Sequence, residues 1–115
     1  MQRAICKGLG VWLLLGALTT ASPASASTTG YGYVSQILVT NVGVVMFSFN
    51  GDRINRPACA TNAGLWSFDG ATPAGQAKLA LLMSAYGLNK KINIVGLNTC
   101  PQVSSVESVD YFMTE

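Results

Sequence analysis

The sequence predicts a small, mostly β domain in which one helix lies between the third and fourth of five strands. Three observations support this prediction. Short runs rich in β-branched and aromatic residues, bounded by turn formers, recur between residues 33 and 113. Their two-residue alternation gives way to a helical period only once, around Leu79 and Leu82. An N-terminal export signal followed by a single pair of cysteines adds a disulfide to the prediction.

The first 26 residues have the three zones of a cleavable signal peptide. Arg3 and Lys7 give a positive start, and an unbroken run of ten apolar residues follows at 9–18. A small, polar segment then ends in Ala24-Ser25-Ala26, which fits the preference of signal peptidase. A membrane-spanning helix needs roughly 20 apolar residues, so this run is too short for an anchor. The alternative is a buried N-terminal helix. The predicted organisation is a signal peptide at 1–26 and one domain at 27–115, in a secreted or periplasmic protein.

Signal cleavage removes Cys6 and leaves Cys59 and Cys100 in the exported domain. Two cysteines without an odd one left over predict a disulfide in an oxidising compartment, the alternative being two free thiols. The bond would close a loop of about 40 residues, for which loop-closure entropy predicts a stabilisation of roughly 4 kcal/mol. Because a domain of this length is only marginally stable, the disulfide is expected to supply a large share of its stability.

Three strands are predicted before the helix. Tyr33–Thr40 is rich in β-branched and aromatic residues, and Asn41-Val42-Gly43 ends it with a turn. In the next strand Val45, Phe47 and Phe49 share one face by the two-residue period, so the first two strands form a hairpin. The predicted segments of this region are a disordered lead-in at 27–32, strands at 33–40, 44–50 and 65–69, and a loop at 51–64.

The helix is predicted to begin at Thr72-Pro73, because threonine caps free amides and proline fits the first helical position. Gly87 is expected to end it as a C-cap glycine. Four apolar residues at helical spacing predict a stripe that faces the core: Leu79, Leu82, Met83 and Tyr86. The predicted segments after the helix are strands at 90–97 and 106–113 and a loop at 98–105.

The resulting order is β-β-β-α-β-β. Five strands with a helix between the third and the fourth is the order of an OB-fold, a small five-stranded barrel. Closure of the sheet removes exposed strand edges, which suits a small exported domain. In this arrangement the disulfide joins the loop before the third strand to the end of the fourth. The same order also fits an open sheet with one helix across it.

Charge excludes two classes of function. Arg3 and Lys7 account for the excess of positive charge and lie in the signal peptide, which leaves five basic and five acidic residues. A neutral domain without a basic run lacks the positive surface needed to bind nucleic acid or an anionic membrane. We therefore expect neither nucleic acid as a partner nor stable membrane insertion after signal cleavage.

The chain has no histidine, which removes Ser-His-Asp and Cys-His catalysis and His-bearing zinc sites. No glycine-rich phosphate cradle follows the signal peptide. Paired carboxylates are the remaining catalytic option, with Asp69, Glu107 and Asp110 as candidates. The odd spacing of Glu107 and Asp110 puts them on opposite faces of a regular strand, which predicts solvated edge charges. We therefore predict no enzymatic activity, no cofactor and no metal site.

Five residues are candidates for ligand contact: Tyr31, Tyr33, Arg53, Arg56 and Trp66. Tyr31 and Tyr33 stand beside glycines near the N-terminus, with anchoring of the chain end as the alternative role. Arg53 and Arg56 are suited to clamp an acidic sugar group bidentately, unless their loop is simply solvated. Trp66 shares a strand face with Phe68 and would form an aromatic sugar platform unless it packs in the core.

A secreted OB-fold of this length, with a disulfide that reaches the loop after the fourth strand, resembles the receptor-binding B subunits of bacterial AB5 toxins, nearest to the subtilase-cytotoxin type. Three segments are also similar to many small uncharacterised secreted proteins of Gram-negative bacteria: Pro57-Ala58-Cys59-Ala60, Leu65–Asp69, and Gly75 through Gly96 to Cys100. The resemblance implies a ring pentamer that binds sialylated glycans near the first strand, where Tyr31 lies closer than Ser35 to the contact position.

Together these observations predict an exported, non-enzymatic binding module that recognises a glycan and works as a homo-oligomer. The alternative is a free-standing periplasmic inhibitor or protein-interaction domain, with the loop Gly51–Gly64 as the inserting segment. A third class, an enzyme using Asp69 or Asp110, would require activity that is lost in the corresponding Asn variants.

Overall fold

The computed structural model describes residues 26–115. The predicted signal peptide therefore lies outside the described residues, apart from Ala26. No helix within 26–115 is long and apolar enough to cross a membrane. The elements are β1 (Thr28–Thr29), β2 (Val34–Val39), β3 (Val44–Phe49), β4 (Arg53–Ile54), β5 (Leu65–Asp69), α1 (Pro73–Gly87), β6 (Ile92–Gly96) and β7 (Val109–Thr114).

The strands form two antiparallel sheets. Sheet A has the order β4-β1-β6-β7, and sheet B has the order β2-β3-β5. The mostly β architecture with one helix is therefore confirmed. The closed barrel is not, because only isolated bridges, Gly32 to Ile92 and Ser67 to Ser108, join the two sheets within residues 26–115. A bulge after Ser35 disturbs β2, and α1 packs against both β2 and β7.

The lead-in at 27–32, predicted to be disordered, is part of sheet A. Thr28 pairs with Ile54 on one side and with Val95 on the other, so β1 lies in the middle of the sheet. Ser27 is fully buried, and its carbonyl oxygen accepts a 2.7 Å hydrogen bond from the Gly96 amide. The predicted loop at 51–64 likewise contains β4. Both strands are two residues long, too short for a two-residue period to be visible in the sequence.

The helix begins as predicted. Thr72 is the N-cap, and its hydroxyl oxygen accepts a 3.0 Å hydrogen bond from the Gly75 amide. Its end differs from the prediction, because Gly87 is still helical and the left-handed residue is Asn89, with φ of 51°. Asparagine tolerates this conformation better than most residues because its short polar side chain bonds locally.

The buried face of α1 is also shifted from the predicted stripe. Leu82 and Ala85 are buried and Leu79 is half-buried, whereas Met83 and Tyr86 are exposed. Sequence spacing alone allows either Leu82 with Ala85 or Met83 with Tyr86 to face the core beside Leu79, since both pairs follow the helical period. Packing against β2 and β7 selects the face that contains the smaller alanine.

The core lies between the inner faces of the two sheets and the helix. Phe47, Phe68 and Phe112 meet edge to face, with ring centroids 5.7–6.3 Å apart. The predicted disulfide is confirmed: Cys59 and Cys100 are bonded, with their Cα atoms 6.2 Å apart. It joins the loop after β4 to the loop after β6.

Candidate functional site

Arg53 is bound inside the protein, so it is not free to clamp a ligand as its sequence context suggested. Its Nη2 atom forms an ion pair with Glu107, and its side chain is only 7% exposed. Nη1 donates to the Ala63 carbonyl at 2.9 Å, and Nε donates to the Ser27 hydroxyl at 3.2 Å. Every nitrogen of this guanidinium therefore has an internal partner.

Glu107 is the acceptor at the centre of this cluster, and the prediction of a solvated edge charge is wrong. Its carboxylate is fully buried and accepts from both Arg53 and the Asn98 amide, the latter at 2.9 Å. A buried carboxylate needs such partners because it has lost its water shell. Gly96 makes room for it, since a Cβ there would collide with the Glu107 side chain. No sequence period signals this arrangement, because Arg53 and Glu107 are far apart in the chain.

Trp66 packs in the core, which was the alternative to a sugar platform. It is 1% exposed, and the Arg53 guanidinium lies 4.0 Å from its ring centroid. The ring thus forms one wall of the buried ion pair, where a cation–π contact stabilises the cation away from water. In this structure Trp66 cannot offer a ring face to a ligand.

Tyr31 and Tyr33 remain on the surface, 47% and 38% exposed. The Tyr33 amide donates to Asn50 Oδ1 at 2.7 Å, and the Asn50 amide donates back to the Tyr33 carbonyl at 3.3 Å. Lys91 Nζ lies 5.6 Å from the Tyr33 ring centroid, within the range of a cation–π contact. The two tyrosines, Asn50 and Lys91 form what we call the tyrosine patch.

The backbone under the tyrosine patch is held tightly. Gly32 exchanges two 3.0 Å hydrogen bonds with Ile92 of β6. A Cβ on Gly32 would collide with the backbone of Gly51, so the two glycines allow close approach of two chain segments. Tyr31 and Tyr33 are therefore carried on an ordered segment on either side of this contact.

The remaining predicted residues do not gather into a site. Arg56 is exposed in the loop after β4. Asp69 Oδ1 accepts from the Ala71 amide at 2.9 Å and so closes the turn before α1, while Asp110 is exposed on β7. Within residues 26–115, no three His, Cys, Asp or Glu side chains are grouped so as to hold a metal ion.

Sheet A also presents an exposed face that the sequence reasoning missed. Register places Ile54, Thr28, Val95 and Tyr111 in one row across the four strands, and Asn93 beside Met113 in the next row. Alternation along residues 91–95, where Ile92 and Ile94 are buried, puts Lys91 on this face as well. We call the face formed by these residues the outer face. The alternating residues of 91–97 were visible in the sequence, but which other strands extend the face depends on β1 and β4.

Comparison with protein-family models, with curated proteins and with solved structures found no match.

Proposed function

We propose that this chain is an exported, non-enzymatic binding module of the OB-fold type that recognises a glycan through the tyrosine patch and works as a homo-oligomer. The observation that carries the proposal is the exposure of Tyr31 and Tyr33 on a backbone held by glycine contacts and hydrogen bonds. Aromatic rings with one apolar face and a polar tip are suited to sugars, which also combine C–H faces and hydroxyl groups. A preformed backbone lowers the ordering cost of binding.

Lys91 supplies the positive charge that the sequence reasoning assigned to Arg53. It lies beside the Tyr33 ring, and the described residues place no carboxylate in an ion pair with it. An acidic sugar would gain both a stacking surface and an opposite charge at this place. Tyr33 and Lys91 together therefore support a glycan with an acidic residue at one end.

The Tyr31→Ala/Tyr33→Ala double variant should lose glycan binding while keeping the fold. Removal of two exposed rings eliminates the stacking surface, so we expect affinity to fall about tenfold or more on an array of acidic and neutral glycans. Tyr86→Ala is the matched control, because Tyr86 is a similarly exposed tyrosine on α1. Equal binding by the double variant and the control would overturn the assignment of the tyrosine patch.

Two edge strands support the homo-oligomer. β2 and β7 each have six residues, and each lies at the edge of its sheet. Both carry exposed apolar side chains: Leu38 and Val39 on β2, and Tyr111 and Met113 on β7. Unpaired edges of this kind are templates for another strand, and pairing of β2 with β7 of the next copy would be a head-to-tail contact that can close into a ring. A ring also multiplies weak glycan contacts through avidity.

The native mass of the oxidised protein should be a multiple of the protomer mass, and Leu38→Lys should reduce it to one protomer. Lysine on an edge strand disfavours pairing with another strand. Val42→Lys is the control, because Val42 is also apolar and exposed but lies in the turn after β2. A monomeric wild-type protein would contradict the homo-oligomer and favour the second function described next.

The second candidate function is inhibition of another protein by the loop at 51–64. This loop exposes Ile54 and Arg56, and Asn55 between them has a positive φ of 56°. The disulfide from Cys59 to Cys100 ties this loop to the loop after β6. The hydrogen bond from Arg53 to the Ala63 carbonyl joins the two ends of the loop. Such bracing keeps an inserting loop in one conformation before it meets its partner.

A further inference from the structure

The outer face of sheet A carries a polar group, the side-chain oxygen of Asn93, that has no hydrogen-bond partner among the described residues. Asn93 Oδ1 is shielded from water and accepts no hydrogen bond within residues 26–115. Buried amide oxygens are nearly always paired, so one without a donor needs a reason. Its direct cross-strand neighbour is Met113, whose unbranched side chain can move aside to admit a ligand group.

The surroundings of Asn93 show what kind of group would fit. Tyr111 and Met113 are 47% and 43% exposed, and Val95, in the row next to Asn93, is half-buried. The six side chains paired in the two rows are uncharged: Ile54, Thr28, Val95, Tyr111, Asn93 and Met113. Charge lies only toward the ends of the face among the described residues, with Lys91 at one end and exposed Asp52 two positions before Ile54. A charged group placed beside Asn93 would therefore lose its hydration without an opposite charge in contact.

An uncharged molecule with hydroxyl donors and apolar C–H faces meets these requirements. A hydroxyl would donate to Asn93 Oδ1, and the apolar face of a sugar ring would pack on Tyr111. Lys91 and the Tyr33 ring lie at the end of the same face, two residues along from Asn93. The outer face is thus continuous with the tyrosine patch.

We propose that the outer face binds the uncharged sugar units of a glycan, with Asn93 as the hydrogen-bonding residue and Tyr111 as the stacking residue. This inference rests on the proposed function and extends it: the tyrosine patch takes the acidic end of the glycan, and the outer face takes the neutral units that follow. Val95 lies four positions along the chain from Lys91, about 13 Å at the usual rise of a strand, which leaves space for more than one sugar ring.

The test is a titration of the 15N-labelled, oxidised protein with a panel of neutral di- and trisaccharides of galactose, glucose, mannose and N-acetylglucosamine, and with 3′-sialyllactose. At millimolar concentrations at least one neutral sugar should shift the side-chain amide signal of Asn93 and the backbone signal of Tyr111. Asn93→Leu and Tyr111→Ala should each weaken that binding about tenfold, through loss of the hydrogen bond and of the stacking surface. Tyr86→Ala should bind as the wild type does.

A second measurement separates a binding role of Asn93 from a structural one. The Asn93 side chain makes no hydrogen bond with the described residues, so Asn93→Leu should leave the thermal unfolding midpoint unchanged or raise it. A lowered midpoint would show that the amide serves the fold and would overturn its role in binding.

The outcomes distinguish the two proposals. Shifts confined to Tyr31, Tyr33 and Lys91 with sialyllactose would overturn the outer-face inference and leave the tyrosine patch in place. Shifts at Asn93 and Tyr111 with neutral sugars alone would support the outer face and remove the acidic specificity of the patch. Absence of any shift across the panel would overturn both.

Discussion

Replacement of Glu107 with leucine should destabilise the domain by about 3–5 kcal/mol, because it leaves the Arg53 guanidinium buried without its counter-charge. Arg53 is 7% exposed and lies against the Trp66 ring, so water cannot easily take the place of the carboxylate. Urea unfolding of the oxidised protein, followed by Trp66 fluorescence, measures the change. The loss is comparable to the whole stability of a marginal small domain, so the variant should be partly unfolded in buffer.

The Arg53→Met/Glu107→Leu double variant distinguishes an unpaired charge from a simple loss of packing. Replacement of both partners by apolar residues removes the buried charge, and we expect most of the lost stability to return. Glu115→Gln is the control, because this carboxylate is exposed and its replacement should change stability by less than about 0.5 kcal/mol. A double variant no more stable than Glu107→Leu would show that the pair matters through its shape and its bonds to Ser27, Ala63 and Asn98.

Replacement of Cys59 and Cys100 by alanine should lower the free energy of unfolding by about 4 kcal/mol, the loop-closure value for two cysteines 41 positions apart. The measurement is the urea midpoint of the double-alanine variant against the oxidised wild type. Reduced wild type is the second control, because it tests the same loss without a change of side chain. If the double-alanine variant and the reduced wild type both have a free energy of unfolding within about 1 kcal/mol of the oxidised protein, the unfolded chain is restrained in some other way. The explanation by loop-closure entropy would then be wrong.

The disulfide and the ion pair also act on the same part of the molecule. Arg53 bonds to Ala63 and Glu107, and Glu107 bonds to Asn98, while the disulfide joins Cys59 to Cys100. Both cross-links therefore hold the loop after β4 to the loop after β6. Because they share these loops, we expect their removal to be non-additive in a double-mutant cycle.

Much of the secondary structure could be predicted from short stretches of sequence. β3 and β5 follow from alternating apolar residues, and the start of α1 follows from Thr72-Pro73. Each of these signals depends on neighbours within a few residues, so no knowledge of the rest of the chain is needed. The disulfide was predictable for a similar reason, since Cys6 lies in the predicted signal peptide and only Cys59 and Cys100 follow it.

The candidate site was less predictable, since only part of it depends on local sequence. Tyr31 and Tyr33 were recognised as surface residues beside glycines, and they are exposed. Arg53 and Trp66 were also candidates, with a solvated loop and core packing as their alternatives, and the fold turns both side chains inward. Whether an arginine in a polar loop is solvated depends on whether a carboxylate from elsewhere reaches it, and Glu107 is 54 positions away.

The amino-acid order alone therefore determines the local elements of this chain, the balance of five basic and five acidic residues in 27–115, and the disulfide. Strand register settles the rest: the central position of β1, the burial of Glu107 beneath Arg53, and the meeting of Asn93, Met113 and Tyr111 on one face. These contacts join residues that are distant in the chain, and shifting a strand by one position would send every side chain to the other face. For that reason the outer face and the buried ion pair emerge only when the sheets are assembled.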